Sequence, residues 1–407
     1  MKGNMVYLQS GGPTAVINTS LLGAVLEAKA HPEQIGAIYG SLHGIEGLLN
    51  DDLIDLGAQK MEQLELLHQT PGAILGTSRH RLPADIHDPE YATILATLCR
   101  HRIRYLFVNG GNDSMDTCSK LARLAEEKGL DLRVIGIPKT IDNDLAITDF
   151  SLGFPSAAKA VINEVQSLYI DAASFGEGKV YVAEIMGRQA GWLAASASLI
   201  PAPYTPDLIL LPEAELSLAG VLDRIEEVYA KKHVCMVVVS EGVLLDRDLS
   251  HAKVDAFGHP ELEGVSRYLL SHIKARGYPC RDVVYSIPHR CEPSYLSLFD
   301  LTMAEGAGRF AVASAMQGHS GKMVAIERKR GECAFFLAEV SQIANVDKNI
   351  PAEWINGDYT LSAQYRDYLR PLIAGEPALR FENGILRHAT LEAKKPLPAE
   401  EGAGQER

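Results

Sequence analysis

Short apolar runs alternate with stretches of helical periodicity along most of the 407 residues, and this alternation leaves few folds open. MVYLQS (5–10) reads as a buried strand, and PTAVINTSLLGAVLEAKA (13–30) as a helix with apolar residues at helical spacing. IRYLFVNG (103–110) precedes a helical stretch at 113–127, and LRVIGIP (132–138) precedes another at 154–170. Further strands are predicted at 179–186, 207–212, 234–240, 282–288 and 322–328. Buried strands separated by helices imply βαβ units and parallel sheets covered on both faces. Ligands of such folds bind at the carboxyl ends of the strands.

A chain of this length predicts two domains, because single cores stop growing at roughly 250–300 residues. The net charge of −13 argues against a nucleic-acid or anionic-membrane partner. It leaves room for a small anionic substrate if basic residues gather in a cleft. The N-terminus lacks the charged, apolar and small-residue succession of a signal peptide, and runs such as VCMVVV (234–239) are too short to span a bilayer. Six cysteines without CxxC spacing indicate neither a zinc site nor a disulfide framework, so a reducing cytoplasm is expected. The Pro-, Gly- and acid-rich end, 395–407, reads as a disordered tail.

The unusual residues fall where strands end. In SGGPTAVIN (10–18), Gly11 and Gly12 lack a Cβ and let the backbone approach a phosphate, with a helix N-terminus behind them. The same stretch suits a tight turn. NGGNDSMD (109–116) repeats the design with Asn112, Asp113 and Ser114 opening a helix, where they read equally as N-caps. A carboxylate in a phosphate cradle repels its ligand unless a cation intervenes, and magnesium is the natural candidate. In PKTIDND (138–144), an extended backbone would set Thr140, Asp142 and Asp144 on one face, leaving Lys139 and Asn143 on the other. One carboxylate could take a proton from an attacking hydroxyl while the other holds a metal or its waters; a solvated loop is the plain alternative. Arg188 after Gly187 in MGRQAGW and Glu241 in SEG (240–242) suit a sugar phosphate, or a structural ion pair and a turn. Arg79 in GTSRH (76–80), with Arg281 and Arg290 around a strand, adds cations beside strand-end motifs.

In order, GGPTAVIN, GTSR, GGNDS, PKTIDND, MGRQAGWLA, SEG and the R…HR strand resemble the phosphofructokinase family along nearly the whole chain. The resemblance implies two Rossmann-like α/β domains with mostly parallel sheets and the active site in the cleft between them. It divides the chain into 1–153 plus about 290–345 for the donor and magnesium, and 154–289 plus about 346–394 for the sugar phosphate. It implies phosphoryl transfer to the 1-hydroxyl of fructose 6-phosphate. Asp142 matches the general base, Asp144 the second acid that places the metal or orients the base, and Thr140 a contact to the transferring group. Gly12, with Gly11 and Ser114 nearby, matches the donor-phosphate contacts, and Arg79 an arginine bridging donor and acceptor. Ile141 lies between the two acceptor-side residues Thr140 and Asp142. Met186, Gly187 and Arg188 match the sugar-phosphate turn, Glu241 the carboxylate on the sugar, and Arg281 and Arg290 the 6-phosphate arginines, with His289 beside them. One such arginine comes from a neighbouring subunit in the family; Lys179 and Arg281 fit that part, which implies a homodimer or homotetramer with shared sites.

Two positions separate the chain from the ATP-dependent branch, which reads GGDGS and PGTIDND. Pyrophosphate-dependent members carry an acid and a lysine where Asp113 and Lys139 stand here. Asp113 makes negative the space of a nucleotide α-phosphate. Lys139 adds a cation whose attraction to one anionic charge about 4 Å away is about 4 kcal/mol before desolvation. Lys139 is thus expected to select the donor rather than to neutralise the aspartates. Asn112 replaces the family's usual magnesium-binding aspartate, so the ion falls to Asn112, Asp113, Asp144 or pyrophosphate itself. The expected activity is reversible, serving glycolysis or gluconeogenesis; the rivals are an ATP-dependent or sedoheptulose-7-phosphate-preferring kinase, and a non-catalytic regulatory subunit.

Overall fold

Two parallel sheets carry the motifs. The computed structural model describes residues 2–247, 264–285, 287–344 and 346–396; most of the expected tail, from 397 on, lies outside them. The strands are β1 (Gly3–Gln9), β2 (Ile35–Ser41), β3 (Leu53–Asp55), β4 (Ile103–Gly110), β5 (Arg133–Pro138), β6 (Val180–Ile185), β7 (Leu208–Leu210), β8 (Cys235–Ser240), β9 (Cys280–Tyr285), β10 (Lys322–Lys329) and β11 (Glu332–Glu339). One sheet has seven strands in the order β11-β10-β5-β4-β1-β2-β3, a second has four in the order β7-β8-β6-β9, and the short strands Phe381–Glu382 and Ile385–Leu386 pair as a third. The four-stranded sheet is parallel throughout.

The larger sheet is parallel except at its edges, where β3 and β11 run antiparallel. At one edge the cause is local: Lys329 pairs with Glu332 across Arg330 and Gly331, both at positive φ, which is the two-residue turn that suits a hairpin. Periodicity had not marked β2, β3 or β11. The apolar strands β1, β4, β5, β6 and β8 are buried along nearly their whole length, which is why they read as continuous runs.

Helix α1 (Ile17–Ala30) starts four residues later than the apolar spacing predicts, since 13–16 belong to the loop that leaves β1. Helix α2 (Asn112–Glu127) follows β4 directly, and helix α3 (Phe154–Ala173) leads to β6. One apolar cluster runs from Ile135 and Ile137 of β5 through Phe154 and Val161 of α3 to Ala183 and Ile185 of β6. The α3 N-terminus is fixed by fully buried Asp300, which accepts bonds from the Gly153 and Ser156 N–H groups and the Ser156 hydroxyl. Among the described residues no helix is long and apolar enough to cross a membrane.

Candidate active site

The loop after β1 is held open by its backbone. Gly11 has φ +75°, a conformation that strains any side chain, and its carbonyl accepts a bond from Thr77 Oγ1 at 2.8 Å. That bond ties the loop to the GTSRH segment, from which Arg79 projects as an exposed residue. Because α1 begins only at Ile17, the cradle here is loop backbone and not a helix N-terminus, contrary to the sequence expectation. A helix N-terminus does stand at the neighbouring strand end. Helix α2 is capped by Gly111 without any side-chain bond, so Asn112, Asp113 and Ser114 are not its caps. Asp113 lies in its first turn, where the helix dipole favours an anion. Ser114 is buried and packs its hydroxyl against Gly110.

Lys139 is the side chain that enters the first loop. It is 3% exposed, and its Nζ donates to the Gly12 carbonyl at 2.6 Å. Burial pulls its ammonium down to about 8, against the opposing pull of Asp142 and then Asp144. Its charge in turn holds Asp142 down, so it acts on both the loop and Asp142, which the sequence reading had kept apart.

The extended geometry expected for 138–144 stops at Pro138, and the chain bends at Ile141 and Asp142. Asn143 sits at φ +57° with its side chain turned inward, accepting from Ser151 N at 2.9 Å and donating to Tyr368 Oη at 2.8 Å. The rule that alternate residues share a face therefore fails here. What brings the acids together with Lys139 is the bend. Asp142 is half-buried, and its N–H donates to Thr140 Oγ1 at 3.1 Å. Burial raises its carboxyl, opposed by Arg188 and then Lys139. Asp144 is pushed up to about 7 by burial, then by the Asp142 and Asp347 carboxylates.

The second sheet supplies the facing wall. At the end of β8, Glu241 Oε1 accepts from Gly187 N at 3.2 Å and Arg188 N at 3.1 Å, clamping the turn after β6. Arg188 is held at φ +42°, an uncommon conformation for a side-chain-bearing residue, and Gly242 is obligatory because a Cβ there would stand 1.6 Å from the Arg188 carbonyl. Met186 packs on the core. Burial raises the Glu241 carboxyl and Asp142 raises it further, so these two carboxylates from different sheets feel one another. Arg290 closes the group: its Nη1 comes within 3.5 Å of the space a Gly12 Cβ would fill, and its charge reaches Lys139 and Asp142. It thus lies beside the Gly11–Gly12 loop and within electrostatic reach of Asp142.

Three expected residues lie elsewhere. His289 is 1% exposed, stacks on Tyr285 and pairs Nε2 with Glu164 Oε2 of α3 at 2.7 Å, immediately before Arg290 in the chain. Lys179 immediately precedes β6, and Arg281, the second residue of β9, pairs with Tyr181. Both sit at the amino ends of strands whose carboxyl ends carry the site, about 20 Å away at strand rise. Within one chain they do not join the cluster.

Sequence reasoning missed the segment 346–348. Asn112 Nδ2 donates to Asp347 Oδ1 at 3.0 Å, and Lys348 N donates to the Asp144 carbonyl at 2.7 Å. Lys348 also sends its Nζ to the Thr148 and Asp149 carbonyls, bracing the loop behind Asp144. No periodicity or glycine marks this stretch. Asn112 Oδ1 and Asp144 Oδ1 are buried without a protein partner. Orphaned oxygens of this kind fit a hard divalent cation. Among the described residues no three His, Cys, Asp or Glu side chains group as a metal site, so such a cation would draw its remaining ligands from phosphate and water.

The phosphofructokinase family model matches residues 4–320. The pyrophosphate–fructose 6-phosphate 1-phosphotransferase of Halomonas elongata is 38% identical over 401 residues, covering 95% of this chain and 96% of its own. That of Methylococcus capsulatus is 36% identical with the same coverage. The crystal structure of the pyrophosphate-dependent phosphofructokinase from Nitrosospira multiformis is 34% identical, with a TM-score of 0.89 over 99% of this chain and 100% of its own. The two-sheet fold, the strand-end motifs and these likenesses agree: the chain belongs to the phosphofructokinase family.

Proposed function

We propose that the chain transfers a phosphoryl group from pyrophosphate to the 1-hydroxyl of fructose 6-phosphate, reversibly and with Mg2+, in the cytoplasm. The observation that carries the donor assignment is the Lys139 ammonium bonded into the Gly11–Gly12 loop, beside an α2 N-terminus headed by Asp113. A buried cation there gives a small, highly charged donor the binding that a nucleotide draws from its adenosine. The curated relatives named for this activity, alike over nearly the whole chain, support the same reading.

In this reading residues 1–153 with about 290–345 hold the donor, and 154–289 with about 346–394 hold the sugar. Asp142 accepts the proton as the 1-hydroxyl oxygen bonds to the near phosphorus. The bond from that phosphorus to the bridging oxygen breaks, and orthophosphate leaves. Thr140 and Arg79 face the transferring group, while Glu241, Arg188 and Arg290 hold the sugar phosphate. Asn112 and Asp144, with Asp113 in the first turn of α2, would hold Mg2+, which when bound would neutralise phosphate oxygens. The purified protein is expected to turn over with pyrophosphate and not with ATP; clear ATP activity without pyrophosphate activity would remove the donor assignment.

Lys179 and Arg281, too far from their own cleft, serve a neighbouring subunit's 6-phosphate in a homodimer or homotetramer. The exposed edge strand β9, with Arg281 and Val284 uncovered, supports this. Asp142→Ser and Arg281→Ala chains, each inactive alone, are expected to recover about a quarter of normal activity when unfolded and refolded together, since a mixed dimer has one intact site. No recovery, despite mixed dimers detected by mass spectrometry, would place Arg281 in its own chain's site.

A further inference from the structure

Asn112 stands where a carboxylate would offer oxygen to a cation whichever way it turned. An amide offers oxygen only when its carbonyl faces the site. Here its orientation is settled by chemistry: Nδ2 donates to Asp347 Oδ1 at 3.0 Å and to the Val346 carbonyl at 3.4 Å. Both partners accept and neither donates, so the amino group is fixed on that side and Oδ1 is directed away. That Oδ1 is shut off from solvent and meets no donor, and Asp144 Oδ1 is in the same condition. The two residues meet the same short segment: Leu145 forms an isolated antiparallel bridge with Asp347, and Lys348 N binds the Asp144 carbonyl. Asp347 lies beyond residues 4–320, the part matched by the family model.

We propose that Asp347 is a positioning residue for the divalent-cation site: it turns Asn112 so that Oδ1, together with Asp144 Oδ1, faces the cation. This rests on the reading of the site as cation-dependent. Because Asp347 is exposed, its loss leaves the core intact.

Mn2+ binding to the full chain, followed by electron paramagnetic resonance without substrates, tests it. Asp347→Ala is expected to weaken Mn2+ affinity by about 10- to 100-fold, the usual effect of losing a residue that orients a ligand. Asp347→Asn, whose amide oxygen still accepts from Asn112, is expected to keep affinity near that of the unaltered chain. Asn112→Asp added to Asp347→Ala is expected to restore it, because a carboxylate needs no orienting. In turnover, Asp347→Ala raises the Mg2+ requirement while KM for fructose 6-phosphate stays unchanged. Equal Mn2+ affinity in the unaltered and Asp347→Ala chains, no restoration by Asn112→Asp, or no Mn2+ binding by the unaltered chain would each overturn the inference. Failure of the pyrophosphate assay with the Mn2+ pattern intact would instead overturn the donor assignment alone.

Discussion

Replacing Asp142 with serine is expected to cut turnover by about 10²- to 10⁴-fold, the contribution of a positioned general base, while fructose 6-phosphate still binds. The split follows from which elements make which contacts. In the proposed function the sugar would be gripped by Glu241, Arg188 and Arg290, whose positions are set by β8, the turn after β6 and the segment after β9. Asp142 contributes its carboxylate from the other sheet, and its backbone bond to Thr140 Oγ1 survives the change. Calorimetric affinity for fructose 6-phosphate should therefore stay within about threefold, while kcat collapses. Turnover left unchanged would exclude Asp142 as the base. A pH profile adds a second signature. Burial raises Asp142, and Asp144 beside it is pushed up to about 7, so the carboxylates lose protons as an interacting pair. Base catalysis needs the ionised form, so kcat/KM should fall as pH is lowered, and the residual activity of Asp142→Ser should lose the share of that fall that belongs to Asp142.

The parts of the site legible in the sequence are those where local chemistry and topology coincide. Strands buried on both faces must be apolar throughout, so their ends could be located, and polar or glycine residues just beyond β1, β4, β5, β6 and β8 had to lie at one sheet edge or the other. The bend in 138–144 was not legible, because it depends on Asn143 finding Ser151 and Tyr368 in the folded core. Asp347 was not legible either: its partner Asn112 lies 235 residues away, and an acid in an aperiodic segment carries no signal of its own. The expectation for Lys179 and Arg281 came only through resemblance, since residues at the amino ends of β6 and β9 point to no site within one chain.

Lys139→Met is expected to lower kcat/KM for pyrophosphate by about 100-fold or more, corresponding to about 2.7 kcal/mol out of the roughly 4 kcal/mol of bare attraction. Methionine keeps all but the terminal atom of the side chain, so the loss reports mainly the charge and its bond to the Gly12 carbonyl rather than a large cavity. The charge should also be visible in the pH dependence. Burial lowers the Lys139 ammonium to about 8, so in the free enzyme it is protonated below that pH and neutral above it. The kcat/KM for pyrophosphate should thus decline as pH rises through about 8, and Lys139→Met should show no such decline. In the proposed function donor choice would need both charged positions, with Asp113 opposing a nucleotide and Lys139 favouring pyrophosphate. Lys139→Gly combined with Asp113→Gly should therefore shift the ratio of ATP to pyrophosphate use upward by more than either change alone. A double variant with an unchanged ratio would leave Lys139 as a brace for the Gly12 carbonyl and nothing more.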